Sequence, residues 1–332
     1  MKRWMFLALS LVFALAALSG CTSDGSKSAS GDIITFADCG WDSLRLQNAI
    51  ARRIAEDAFG YQTEEVSVST AVMITGMEGG DIDVNIEVWS DQIEAYDDFV
   101  ASGKVQVLAT NFDDSEQGLY VPRYLIEGDD ARGIEPLAPN LRTVEDLAGY
   151  ADLFPDEDDP SKGRIYSYVV GSTTDAVVQA KVAHYGLDAM YNCFAPGSDT
   201  LLSTAIVSAY ERGEPIVAYY WSPTWLLGKY DFVLLEDAPY DAATFYDGAT
   251  AFPPCDVTIV AGNALVEEKP DFCEFLRKFT TNSALLNEAM AYMQDNEADV
   301  NETAVWFLNE HPEMLAQWLT PEQVEAVQAN LQ

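Results

Sequence analysis

The sequence predicts a layered α/β protein in two lobes, on three observations. Strand-like and helix-like runs alternate along most of the chain. That rhythm is interrupted near residues 120–127 and again near 225–230, as a chain passing between two lobes would require. Large aromatics recur at the carboxyl ends of predicted strands, the edge where open α/β sheets hold their ligands.

The elements follow in order. A strand is expected over 33–36, and a helix over 44–59 ended by Gly60. Val66 and Val68 mark a second strand, and 71–77 a short helix ended by Gly79-Gly80. IDVNIEVW, residues 82–89, alternates with period two and reads as a strand. A helix over 92–101 and a strand over 105–108 follow. From 127 to 162 the chain turns rich in Asp, Pro and Gly, with one capped helix start at Thr143-Val144-Glu145-Asp146. Alternation resumes with a strand over 164–170, helices over 174–185 and 203–211, and strands over 216–221, 232–235 and 257–260. Beyond Pro270 the chain is helical, and Thr320-Pro321 supply a cap and first-turn proline for the last helix. This tail is expected to pack on the first lobe, and the sheets are expected to be mainly parallel.

Residues 1–21 are set apart. Lys2 and Arg3 precede an apolar run over 4–18 and then Leu18-Ser19-Gly20-Cys21. A basic start, a short apolar stretch and small residues before a cut describe a secretory signal peptide, and the run is short for a spanning helix. Leu-Ser-Gly-Cys resembles the lipobox of bacterial lipoproteins, in which Cys21 is lipidated and holds the protein to the bilayer. Residues 22–31, TSDGSKSASG, read as a flexible tether.

The net charge of −36, from 54 acidic and 18 basic residues, would repel a phosphate backbone, so no nucleic-acid partner is expected. It would draw in a cation, although acids scattered along the whole chain also serve solubility or adaptation to salt. Cys39, Cys193, Cys255 and Cys273 remain after Cys21, an even number compatible with disulfides in any of three pairings. They lack the close paired spacing of a zinc site, and the chain has two histidines, so neither metal nor cofactor is expected.

Trp41 stands at the turn after the first strand, Trp89 ends IDVNIEVW, and Trp221 ends IVAYYW. Tyr120 sits in Gly118-Leu119-Tyr120-Val121-Pro122 near the crossing between lobes. Any one of them could be a core or rim aromatic. Together at the ligand edge they suggest a cage, because ring faces carry negative potential and attract a cation that has no N–H to donate.

At these residues the chain resembles the substrate-binding subunits of ABC importers for glycine betaine, choline and related quaternary amines. The resemblance spans essentially the mature chain. It is carried by Gly40-Trp41-Asp42-Ser43, by Gly80-Asp81-Ile82-Asp83-Val84 with Glu87-Val88-Trp89, by Gly118 to Tyr124, by Tyr219 to Trp225, by Tyr230-Asp231 and by Leu235-Glu236. It implies a type II periplasmic-binding-protein fold, with lobe 1 over 32–120 plus 229–332, lobe 2 over 121–228, and a ligand cleft between them. It implies a cage of Trp41, Trp89, Tyr120 and Trp221, with Asp42 or Ser43 at the ligand's polar end or holding Trp41. It also implies a membrane permease as partner, ATP hydrolysed by a separate subunit, and a monomeric receptor. Two departures bear on the ligand. Ser172 stands where betaine-binding relatives carry a tryptophan and choline-binding relatives an asparagine, and Thr224 stands where some relatives carry a carboxylate-binding histidine. Asp42 suits a hydroxyl better than a carboxylate, or serves as a helix cap.

Other classes find less support. The sequence has no phosphate-loop, HExxH or nucleophile-elbow pattern. Asp81 and Asp83 share one strand face and could do acid–base work, but a solvated strand end is the favoured explanation. A surface adhesin or a secreted hydrolase are the alternatives, separated from a transport receptor by a small-molecule titration.

Overall fold

The computed structural model describes residues 33–93 and 95–331. The signal peptide, Cys21 and the tether therefore lie outside the described residues. Ten strands form two five-stranded sheets. The first holds β1 (Ile33–Asp38), β2 (Gln62–Ser67), β3 (Val84–Trp89), β4 (Val105–Phe112) and β10 (Val257–Gly262), in the order β2-β1-β3-β10-β4. The second holds β5 (Glu116–Pro122), β6 (Gly163–Tyr166), β7 (Tyr191–Phe194), β8 (Ala218–Ser222) and β9 (Phe232–Leu234), in the order β7-β6-β8-β5-β9.

Both sheets are mixed rather than mainly parallel. β1 runs parallel to β2 and β3, and β6 runs parallel to β7 and β8. β10 is antiparallel to β3 and β4, and β5 is antiparallel to β8 and β9. In each lobe the reversed strand is the one the chain lays down on entering from the other lobe. The crossings lie over 113–115 and within 235–256, so β5 and β9 belong to the second sheet, whereas the sequence placed the passages near 120 and 229.

The central strands are buried on both faces because helices cover both. β10 is buried at every position, and β1 at every position after Ile33. Helix Asp42–Phe59 and the tail pack on the first sheet, bringing Ile34, Ile50, Val257, Phe272, Phe307 and Trp318 into one core. The last helix starts as expected, with Thr320 capping Gln323 and Pro321 in the first turn. At Thr143 the capping contacts form, but the segment that follows, Glu145–Gly149, is a short 3-10 turn.

The acidic 235–256 stretch is fixed to lobe 2 by a buried cation. Lys181, 1% exposed, pairs with Asp237 and donates to the carbonyls of Thr250 and Gly248, and Tyr185 donates to the same carboxylate. Gly248, at φ +75°, passes so close that an added Cβ would lie 2.1 Å from the Lys181 amide. Removing one partner of a buried pair strands the other charge. Lys181→Ala is therefore expected to lower stability by roughly 3–5 kcal/mol in urea denaturation.

No disulfide links the four described cysteines. Cys193 lies on β7 in the second lobe, while Cys39 follows β1, Cys255 precedes β10 and Cys273 lies in helix Pro270–Leu276. Burial pushes the thiols up, to about 11 for Cys39, Cys193 and Cys273 and about 12 for Cys255, so few are ionised at neutral pH. Thermal melting is accordingly expected to be unchanged by dithiothreitol.

Candidate ligand-binding cleft

A cavity of about 870 Å³ lies between the two sheets, lined from both lobes. Trp41, Asp42, Ser43 and Trp89 reach it from lobe 1, and Trp221, Tyr219, Tyr168 and Asp199 from lobe 2. Its wall also includes Trp225, which packs against the cores of both lobes.

The local sequence explains how Trp41 is presented. Gly40 takes φ +107°, a conformation side-chain-bearing residues seldom adopt, and nothing lies within 4 Å of where its Cβ would be. Its service is conformational rather than a matter of space. The Asp38 carboxylate accepts from the Gly40 amide at 2.8 Å and from Ser67 Oγ at 2.8 Å, and pairs with Arg45, fixing the turn. Trp41 then occupies the N-cap position of helix Asp42–Phe59 without a side-chain cap. Asp42 is thus the first helical residue and not the cap. It lies 3.5 Å from Arg45 Nη1, and its side chain is half exposed to the cleft.

Beneath the two lobe-1 tryptophans lies a carboxylate that the sequence reading did not single out. Glu87 is fully buried. Its Oε1 accepts from Trp41 Nε1 at 2.7 Å, Ser43 Oγ at 2.7 Å and Trp89 Nε1 at 3.0 Å, and Gln47 donates to Oε2. Asn111 donates in turn to Gln47 Oε1 and to the Ile86 carbonyl. Burial pushes the Glu87 acid up to about 7 despite these four donors. The signal was present in IDVNIEVW: its alternation sets Asn85, Glu87 and Trp89 on one face, an odd polar run for a central strand.

Across the cleft, Trp221 is the last residue but one of β8, with Tyr168 edge-on at 5.5 Å and Tyr220 at 4.7 Å between ring centroids. Asp199 opens helix Asp199–Arg212, capped by Ser198. Its acid is raised first by burial and then by the charge of Asp42 from the other lobe. Among the described residues lining the cleft there is no lysine, arginine or histidine.

Two expected residues fall outside it. Tyr120 faces away, in the core with Ala218, Tyr220 and Leu226, and is 5% exposed. The register gives the reason: Gln117 pairs with Trp221 and reaches the cleft, while Tyr120, three residues on, pairs with Ala218 and points to the other face. Ser172 caps helix Thr173–His184, its hydroxyl accepting from the Asp175 amide at 3.0 Å. Thr174, two residues later, is the side chain from that helix that lines the cavity. Thr224 also lines it, but its hydroxyl caps helix Trp225–Lys229.

Two α/β lobes joined by two crossings, with the cavity between them, define a two-lobed binding protein of the type II periplasmic class. Residues 32–310 match the family OpuAC, the substrate binding domain of ABC-type glycine betaine transport system, and the chain belongs to that family. Among solved structures it is similar to the glycine betaine, L-proline binding protein ProX of Borrelia burgdorferi, with a TM-score of 0.61 at 19% identity over 89% of this chain and 99% of that one. It is similar to lactococcal OpuAC in its closed form with glycine betaine, TM-score 0.62, 18% identity, covering 87% and 100%. An ABC-transporter choline binding protein in complex with choline gives 0.59 at 20%, covering 91% and 98%. By sequence it is 24% identical over 140 residues to the glycine betaine/carnitine transport binding protein GbuC of Listeria monocytogenes, over 42% of this chain and 43% of that protein. The matched segment thus spans less than half of that relative. No described helix is long and apolar enough to cross a membrane.

Proposed function

We propose that this chain is the lipid-anchored, extracytoplasmic receptor of an ABC importer, and that it holds a quaternary ammonium ligand in a cage built by Trp41, Trp89 and Trp221. Tyr168 and Tyr219 take the place first given to Tyr120. The observation that carries this reading is the cleft's lining: tryptophans from both lobes, the carboxylates Asp42, Glu87 and Asp199, and no cationic side chain among the described residues. Ring faces contribute roughly 0.5–2 kcal/mol each to a desolvated cation, and closure of the lobes would strengthen every such contact by excluding water.

The same lining bears on the ligand's tail. A carboxylate, as in glycine betaine or carnitine, would meet Asp42 and Asp199 with no cationic side chain in the described lining; Arg45, 3.5 Å from Asp42, is not among the residues that line the cavity. A hydroxyl would donate to either. Choline-like ligands are the better fit, with Asp42 at the hydroxyl end. Ligand would then pass to a membrane permease from a monomeric receptor held to the bilayer through Cys21.

Calorimetric titration of residues 22–332 with choline, glycine betaine and carnitine tests this. Micromolar choline binding, at least tenfold tighter than either carboxylate ligand, is expected. Heat from none of the three would remove the proposal, and so would product formation in place of simple binding.

A further inference from the structure

Building on that reading, we propose that Glu87 is a positioning residue for the cage: its single carboxylate holds the indoles of Trp41 and Trp89 by their N–H edges and sets a negative charge behind both rings. Trp41 follows β1 and Trp89 ends β3, and nothing in the backbone alone fixes the two rings relative to each other. A shared acceptor does, at 2.7 and 3.0 Å. Each indole turned by its N–H toward Glu87 is restricted in rotation about its side-chain bonds. Drawing the N–H proton toward an anion also enriches the ring face that meets the ligand. Ser43 and Gln47 hold the carboxylate from helix Asp42–Phe59, so their helix, β3 and the Trp41 turn are tied to one acceptor.

A buried carboxylate with only neutral donors is costly to ionise, which explains its raised acid near 7. The side chains that donate to its carboxylate carry no titratable group. Ser43, Trp41 and Gln47 face it from the helix side, Asn85 and Trp89 from its own strand, and Asn111 stands behind Gln47. The Cys39 thiol, after β1, feels its charge but is held near 11. Asp42 and Asp199 face the cleft from the two helix starts.

A cation should therefore bind more tightly as pH rises through about 7, while the ligand-free protein shifts the opposite way. A carboxyl whose folded value is raised contributes stability that is full below its unfolded value and lost as pH passes the folded value.

Two measurements test the role. In ¹⁵N-tryptophan-labelled, ligand-free protein, the indole N–H resonances of Trp41 and Trp89, assigned by Trp41→Phe and Trp89→Phe, should move together with a midpoint near pH 7. This needs no ligand, so it stands apart from the reading of the cleft; two resonances that stay still from pH 5.5 to 8.5 would overturn the inference. In calorimetry, Glu87→Gln should bind choline at least tenfold more weakly at pH 8 and lose the wild type's pH dependence between 6 and 8. A variant that melts lower but keeps both affinity and pH slope would leave Glu87 a merely structural residue. A wild type that binds no quaternary amine while its indoles titrate together would sink the cage and keep the positioning role.

Discussion

Trp89→Ala and Trp221→Ala are each expected to weaken binding of a quaternary ammonium ligand at least tenfold, with the fold intact. The two rings reach the cleft from different lobes, so each removes a wall that the other cannot replace. Loss of one desolvated ring face costs roughly 0.5–2 kcal/mol, and the water admitted in its place weakens the rest. Trp89→Ala should cost more. Its N–H is one of the donors to the buried Glu87, and its ring packs edge-on to Phe112 at 5.9 Å. Trp221 lies against Tyr168, Tyr219 and Tyr220, which partly fill its place. Calorimetry at fixed pH reads both. Affinity within twofold of the wild type for both variants would end the account of the cage.

The second large effect concerns selectivity. Asp42→Asn with Asp199→Asn is expected to lower choline affinity by about tenfold and to raise that for glycine betaine, narrowing or reversing their ratio. A hydrogen bond to a charged group contributes roughly 1.5–3 kcal/mol; Asp42 is half exposed, so the lower end applies. On this account the two like charges disfavour closure of an empty cleft, and a bound cation between them offsets that. Removing both should make closure less dependent on a cation and binding less sensitive to salt. If both ligands kept their wild-type affinities, the carboxylates would have no part in choosing the tail.

Much of the framework was legible because it depends on local rules. Gly60 ends the first helix in the left-handed conformation, and Thr320-Pro321 starts the last one. Trp41, Trp89 and Trp221 stand at or near strand ends, a position legible in the sequence, and all three line the cavity. What was missed depends on pairing between distant segments. The reversal of β5 and β10 follows from the crossings, which no local pattern records. Tyr120 was misplaced because the start of β5 was unknown; with Gln117 opposite Trp221, period two sends Tyr120 to the far face. Ser172 is a helix cap, a role its Ser-Thr-Thr-Asp context signals as readily as a ligand contact. Glu87 was overlooked for another reason: an acid inside a strand reads as an edge residue until the donors that surround it are known, and those come from 40 or more positions away along the chain in three of four cases.

The central claim is that the cleft selects positive charge through aromatic faces rather than shape alone. The direct measurement is the affinity of choline beside that of 3,3-dimethylbutan-1-ol, which replaces the ammonium nitrogen by carbon and keeps the outline. Three ring faces and the carboxylates behind and beside them act on the charge alone, so the neutral isostere should bind at least a hundredfold more weakly, a difference of about 2.7 kcal/mol. Affinities within a few-fold of each other would show that the cavity binds by apolar fit, and would contradict the account.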